Sequence, residues 1–466
     1  MIPCQNKKSM NELHVNAEGL LLGEVFTPFE NLFSLDFYTY SDKEAARFYN
    51  PYFGVNELFA HMAQPYLALD FFVSNNIVDS IDVRNANDEY LLYAIDIAKK
   101  KGIPVKGASF RTKNFISLKA FFIRLSSFIY LEYLMMKIPC SGEPFTFHSD
   151  FSVLRTKSAI QKFKPFADLH KEIENPERKD SIYRLFSKSK RFKWVWESYY
   201  ESFSKLEKFK AFYKPLTGKY SILQIDVFYQ KRLVHALLYE RLMREYMAHF
   251  KGCTFYTGNN LDRFSVVEET IAKEYGIKTV CYPHGLEYGY KFPKGFSCDI
   301  FYANSAFAAK ELNKLYETEK FVYDEGITRK MFELNNVPEH PKHVVFFTEQ
   351  QEYHVNKAIL TDLQPMLAKD GIEVLVKLHP GDTKEHYTDC DFKYISNYGE
   401  SLTGNICVSR KSTVLLEAVY NNSIAIAIIT TKKDKSVFDT FPSLQSEKII
   451  RTYNVPDLYK EIIKHI

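Results

Sequence analysis

The sequence predicts an α/β protein of two Rossmann-like domains facing a cleft, with a helical, aromatic and basic stretch inserted in the first half. Three observations carry this. Strand-sized apolar runs alternate with helix-sized segments near both ends of the chain, the order that builds parallel sheets. Several of these strands stop at His, Pro and Gly, where open α/β sheets bind ligands. The 466 residues suffice for two or three domains with full cores. A polar stretch from Leu334 to Lys342, with Pro338 and Pro341, reads as the linker. It separates a first domain over 1–335, with its insertion at about 111–250, from a second over 340–466.

Residues 1–50 are aromatic-rich and weakly periodic. Order begins with a strand over Ile77–Val83, followed by a helix over Asp88–Lys101 that Asn87 caps and Gly102 stops. Ile103-Pro104-Val105 opens the next strand. The stretch 111–250 is mostly helical, with a strand-like break at Pro144–His148 and a long helix from Leu233 to Phe250. A strand then runs over Cys253–Thr257, a helix over Ser265–Tyr275 stopped by Gly276, and a strand over Ile277–Cys281 that ends in Pro283-His284-Gly285. In the second domain the strands are Val344–Phe347, Glu373 to Lys377, Phe392–Ile395 and Ile424–Ile428. Helices follow at His354–Lys369, after Ser412-Thr413, and at Pro456–His465.

The composition, 46% hydrophobic and 25% charged, is that of an ordinary soluble protein. Residues 151–220 hold 17 Lys/Arg against 8 Asp/Glu, although the whole chain carries only +4. This basic middle, with Lys188, Lys190, Arg191 and Lys193 beside Trp194 and Trp196, reads as a solvated helix face and leaves room for peripheral membrane contact. It carries no nucleic-acid module signature. The 7 cysteines are scattered singly, which argues against a disulfide framework or a zinc ribbon. No apolar signal core precedes Leu20, and Phe115–Met136 contains Lys119, Arg124 and Glu132, each costly in a bilayer. That segment reads as a buried or membrane-surface helix, and the protein as cytoplasmic or peripheral to the inner membrane.

Two segments look like the sides of a phosphate site. His379, ending a strand, can donate to a phosphate oxygen, with Lys377 on the same side and Pro380-Gly381 allowing close approach. Ser409-Arg410-Lys411-Ser412-Thr413 precedes an apolar helix, so Ser412 as its cap would aim free N–H groups and the helix dipole at an anion. Arg410 and Lys411 add positive charge, and Glu417 lies one turn on, within reach of a ribose hydroxyl. In the first domain, His284-Gly285 and the loop Gly258-Asn259-Asn260, with Asp262, line the acceptor side, where His284 suits a general base or a phosphate donor.

Tyr282-Pro283-His284-Gly285, then Lys377-Leu378-His379-Pro380, then Ser412-Thr413 with Glu417 resemble the motifs of bacterial GT-B transferases that build capsules and lipopolysaccharide, the sialyltransferases and polysialyltransferases above all. The resemblance covers 253–430. It implies an inverting, metal-independent glycosyltransferase without a cofactor, moving a sialic-acid-like sugar from a CMP-sugar to a glycan or lipid-linked glycan. His379 would neutralise the leaving phosphate, Ser412 and Thr413 would hold it, and Glu349 and Gln350 would sit near the base. CDP-glycerol polymer transferases share a His-Gly pair, so a CDP-glycerol or UDP-sugar donor is an alternative, as are a nucleotide-sugar epimerase and a non-catalytic assembly subunit. The family's acid-acid-Gly base motif lies well upstream, whereas Asp324-Glu325-Gly326 follows His284. That leaves His284, Glu24 and Asp36 as candidates for the base.

Overall fold

The computed structural model describes residues 9–10, 13–14, 73–74, 77–84, 88–107, 112–141, 150–154, 177–178, 182–258, 263–283, 285–287, 298–334, 337–349, 353–431, 434–435, 438–439 and 441–466. They fall into two compact units: the described residues up to Thr279, with Cys298, form the first, and the rest from Val280 on form the second.

The first unit opens with two-residue strands β1 (Ser9–Met10), β2 (Leu13–His14), β3 (Ile77–Val78), β4 (Ile81–Asp82) and β5 (Val105–Lys106). β4, helix α1 (Asp88–Lys101) and β5 form the expected strand–helix–strand unit, and Gly102, at φ +68°, ends the helix in a left-handed conformation that glycine adopts without strain. The run Ile77–Val83 is not one strand. β3 pairs with β1 while β4 joins β2 and β5 in another sheet. Ile77 is exposed whereas Ile81 to Val83 are buried, and the Ser80 carbonyl turns to accept from Leu13 N–H at 2.9 Å. The strand-like segment Pro144–His148 and the capping Asn87 lie outside the described residues.

Helices α2 (Thr112–Lys137) and α3 (Lys188–Met247) dominate this unit. Between them in the chain come β6 (Phe151–Leu154) and β7 (Glu177–Arg178), and after them β8 (Thr254–Thr257), α4 (Arg263–Glu274) and β9 (Lys278–Cys281). β6 pairs in parallel with both β7 and β8. α3 starts at Ser187, whose hydroxyl accepts from Lys190 N–H, and its two ends lie side by side: Lys190 Nζ donates to Glu245 at 2.7 Å and Arg241 Nη2 to Glu201 at 2.6 Å, with Trp194, Val195 and Leu238 sharing one core with α2 and β6. Phe151 stacks on Phe250 with ring centres 3.8 Å apart, and Leu131, Met135 and Leu242 close around them. Trp194 and Arg191, read from the sequence as part of a solvated face, belong to this core. Trp194 lies against Phe186, and buried Arg191 donates to the Ile138 carbonyl at 2.9 Å and to Cys140 Sγ at 3.0 Å.

The second unit begins with β10 (Ile300–Tyr302), α5 (Ala306–Tyr316), β11 (Phe321–Val322) and α6 (Glu325–Phe332); β10 pairs in parallel with β11 and with the end of β9. Asp324 is the N-cap of α6, its Oδ1 accepting from Ile327 N–H at 2.9 Å, which gives the Asp-Glu-Gly letters a structural role. Next come β12 (Val344–Phe347), α7 (Tyr353–Ala368), β13 (Val374–Lys377), β14 (Lys393–Tyr394), α8 (Tyr398–Leu402), β15 (Ile406–Ser409), α9 (Val414–Tyr420), β16 (Ile424–Ile428), β17 (Ile449–Thr452) and α10 (Val455–Ile463). The six strands are all parallel, in the order β14-β13-β12-β15-β16-β17. This is the doubly wound Rossmann order, with its switch point between β12 and β15.

The apolar runs explain the layers. Strand residues alternate between faces, so a strand covered on both faces is apolar throughout. Val344, Phe346, Val408 and Ile426 pack with Leu360 of α7 and Ile462 of α10, while Val345, Phe347, Cys407 and Ala425 pack with Leu415 and Ala418 of α9.

Candidate functional site at the switch point

β12, β13 and β15 end together at the carboxyl edge of this sheet, where Thr348, just past β12, Lys377 and Ser409 are polar. Thr348 follows β12 and is buried; its N–H donates to the Lys377 carbonyl at 3.0 Å and its Oγ1 accepts from His379 N–H at 3.0 Å. The chain then turns sharply. Asp382 N–H donates to the His379 carbonyl at 2.9 Å, and Gly381 N–H donates to His379 Nδ1 at 3.0 Å. With Nδ1 held as an acceptor, the neutral ring carries its proton on Nε2. His379 is half-buried, and Pro380 and Gly381 are exposed. The expected turn is therefore present, with its histidine preset as a donor.

Lys377 takes another direction. Its Nζ donates to the Ser396 carbonyl after β14, and burial pushes its ammonium down from the ordinary lysine value.

Beneath the turn lies a buried network that motif reading missed. The fully buried side chain of Asp382 accepts from His386 Nδ1 at 2.7 Å, Tyr387 Oη at 2.7 Å and Thr383 N–H at 2.9 Å. Burial opposes its charge, but the bonds from His386, Thr348, Tyr387 and Thr383 outweigh it and hold the carboxyl below the usual aspartate range. The His386 ring stacks on exposed Tyr353 at 4.1 Å. Tyr387 is pushed far up by burial, with Asp382 adding to the effect. Asn356, wholly buried, links this side to the next: Nδ2 donates to the Glu349 carbonyl at 3.0 Å and to Tyr387 Oη at 3.4 Å, while Oδ1 accepts from Arg410 Nη1 at 3.4 Å.

After β15, the cations expected to meet a ligand are engaged within the protein. Arg410 is fully buried in a two-pronged pair with Asp434, at 3.0 and 2.5 Å, and Lys411 Nζ joins the same carboxylate at 3.1 Å. Burial raises the cost of that carboxylate's charge, but the two cations win and hold Asp434 below the aspartate range. Ser409 is buried and donates to the Phe347 carbonyl at 3.2 Å and to Glu349 Oε1 at 3.4 Å. The same Oε1 accepts from Lys411 N–H at 3.1 Å, leaving Oε2 as a second acceptor. Glu349, Ser409 and Lys411 thus meet at the switch point.

Ser412 is not the helix cap. Thr413 holds that position with no capping bond, Ser412 Oγ accepts from Val414 N–H at 3.4 Å, and α9 has only seven residues, too few for much of a dipole. Both hydroxyl groups are half-exposed beside the buried start of α9. Glu417, expected near a ribose, accepts from Tyr398 Oη at 2.5 Å; burial of that phenol and the facing carboxylate push Tyr398 far up.

Of the residues expected on the acceptor side, Gly258 is buried at the end of β8 in the first unit, and Gly285 belongs to the second. A Cβ on Gly285 would meet no described atom within 4 Å, so nothing described demands glycine there. His284, Asn259, Asp262 and, at the switch point, Gln350 lie outside the described residues. Two residues past Gly285 is Glu287, missed by motif reading. It is buried, with no cation against it among the described residues; it accepts from Asn304 N–H and, at 2.6 Å, from the Ser443 hydroxyl, and burial pushes its carboxyl up. Asp382 left one readable signal, the i,i+4 spacing to His386. Among the described residues no group of His, Cys, Asp and Glu could hold a metal ion.

No family model and no curated protein matches the chain. Among the solved structures similar to it are two of sugar enzymes. One is the glycosyltransferase SnogD from Streptomyces nogalater, 11% identical, with a TM-score of 0.39 over 68% of this chain and 90% of that one. The other is UDP-N-acetylglucosamine 2-epimerase from Rickettsia bellii, 11% identical, with a TM-score of 0.34 over 68% of this chain and 93% of that one. Likeness at that level carries no inference about chemistry.

Proposed function

We propose that the chain is a nucleotide-sugar-dependent glycosyltransferase of the GT-B kind that holds its donor nucleotide at the switch point of the C-terminal sheet. One observation carries the reading: His379, a preset Nε2–H donor, stands at the carboxyl edge of a sheet in Rossmann order, the place where such sheets bind nucleotides. In this reading the leaving phosphate takes hydrogen bonds from His379 Nε2–H and from the Ser412 and Thr413 hydroxyls. These donors favour the charge that develops as the glycosidic bond breaks. The reading assigns no metal a role, in keeping with the sequence resemblance.

Glu349 Oε1 is anchored by Ser409 and by Lys411 N–H, so Oε2 accepts from a donor on the ligand. The exocyclic amine of cytosine is such a donor, which supports a CMP-linked sugar, sialic-acid-like by the sequence resemblance, with a surface glycan as acceptor. His284 is the proposed base toward that acceptor.

A thermal-shift panel of CMP, CDP, UDP and GDP tests this. A ligand that binds only the folded state raises the melting temperature. CMP or CDP should give the largest rise. A flat response to all four sinks the nucleotide reading, and a preference for UDP removes the cytosine assignment while leaving the transferase.

A further inference from the structure

We propose that Asp382 is the positioning residue of this sheet edge, fixing the orientation and the ring tautomer of His379 without itself meeting the ligand. Its consequence for binding rests on the nucleotide reading; its cause rests on the geometry of the turn alone.

Asp382 grips His379 from two directions. Its own N–H donates to the His379 carbonyl at 2.9 Å and closes the turn. Its carboxylate bonds to the Thr348 hydroxyl, and that hydroxyl oxygen accepts from His379 N–H at 3.0 Å. The peptide groups before and after His379 are thereby both held, and the ring hangs from a fixed backbone. Gly381 N–H, inside the same turn, meets Nδ1 at 3.0 Å and selects the Nε2–H tautomer. That bond spans only two residues, so its alignment lasts only while the turn stays closed.

The carboxylate is in turn anchored from below. Its side chain is wholly buried and offers about four acceptor positions. Oδ1 accepts from His386 Nδ1 at 2.7 Å and from Thr383 N–H at 2.9 Å, and Oδ2 accepts from Tyr387 Oη at 2.7 Å. With the Thr348 hydroxyl, every position is filled by a donor. An asparagine amide would accept on one oxygen only and turn its NH2 toward these donors. The anchors lead into α7: His386 stacks on Tyr353 at 4.1 Å, and Tyr387 Oη accepts from Asn356 Nδ2 at 3.4 Å. Asn356 Nδ2 also donates to the Glu349 carbonyl at 3.0 Å, so one buried network ties the His379 turn to Glu349. Groups held by packing and by such a supporting layer of bonds are preorganised for a ligand.

The ring itself reports the result. In the full chain labelled with 15N-histidine, at about pH 8, above the ordinary imidazole range, His379 should show a single Nε2–H tautomer, assigned by the resonances that vanish in His379→Gln. Asp382→Asn and Thr348→Val should each turn it into an exchanging mixture. Thr348→Ser, which keeps the hydroxyl, should restore the single tautomer. Thr348→Val is close to isosteric and keeps the test decisive if Asp382→Asn does not fold. Calorimetry with CMP gives the second readout. Asp382→Asn should weaken CMP about tenfold, and should cost nothing further in the His379→Ala background, because it acts only through that ring. A mixed His379 ring in the wild type, an unchanged tautomer in both variants, or CMP losses that add in the double variant overturns the proposal. Failure of the wild type to bind CMP sinks the nucleotide reading instead, and the tautomer measurement then decides the role of Asp382.

Discussion

The turn after β13 and the segment after β15 stand at the same edge of the same sheet, and both read from the sequence as cationic. They differ in what they offer a ligand. After β13, a backbone amide takes His379 Nδ1 and leaves the other ring nitrogen as a donor. After β15, Arg410 and Lys411 are bound to Asp434, and the carboxylate of Glu349 caps the Lys411 amide. A count of positive residues overstates the available positive charge. One side leaves a ring donor uncommitted by its own turn, and the other is engaged largely within the fold.

That contrast can be broken, beginning with its largest expected effect. Asp434→Ala removes the two-pronged carboxylate partner of the buried Arg410 guanidinium and should cost about 3–5 kcal/mol in chemical denaturation. Arg410→Met/Asp434→Leu should recover most of it. A similar loss in the double variant would mean that the pair does more than neutralise itself. Because the folded Asp434 carboxyl lies below its unfolded value, its stabilising contribution is complete above about pH 4 and is lost as pH falls through the folded value. An acid-unfolding limb that is absent in the double variant checks this.

His379→Ala comes next. Removing one preorganised donor to a developing charge should lower turnover about 100- to 1000-fold with the melting temperature nearly unchanged. Near-normal turnover in that variant would remove the β13 side from the chemistry. Glu349→Gln should have the smallest effect: cytidine nucleotide affinity, measured by calorimetry, should fall about tenfold as a charged acceptor becomes neutral. Unchanged affinity would return Glu349 to a purely structural role.

Much of the fold was legible in the sequence. Val344–Phe347 and Ile424–Ile428 are apolar at every position because both faces of their strands are covered, and Gly102, Gly276 and Gly371 mark real turns with positive φ. The switch point followed from that order. The site was legible only where chemistry is local: the His379 turn could be read because its closing bonds, from Gly381 N–H to His379 Nδ1 and from Asp382 N–H to the His379 carbonyl, span three residues or fewer. Asp434 sits 24 residues beyond Arg410 and Asn356 sits 54 before it, so their pairing is set by how the strands stack, not by spacing. The charge of Arg410 was visible, but its partner was not. The same holds for Trp194 and Arg191, which side by side with lysines looked solvated and yet face the core.

Glu349 has a consequence for selectivity. A carboxylate held at the switch point repels bare sulfate, which brings negative charge and nothing for Oε2 to accept. A ligand that carries its phosphate together with an amine or hydroxyl turns the same carboxylate from an obstacle into a partner. Discrimination between partners often rests on such a repulsive element. The acid that makes this edge a poor trap for donor-free anions is also what would let it single out one class of nucleotide.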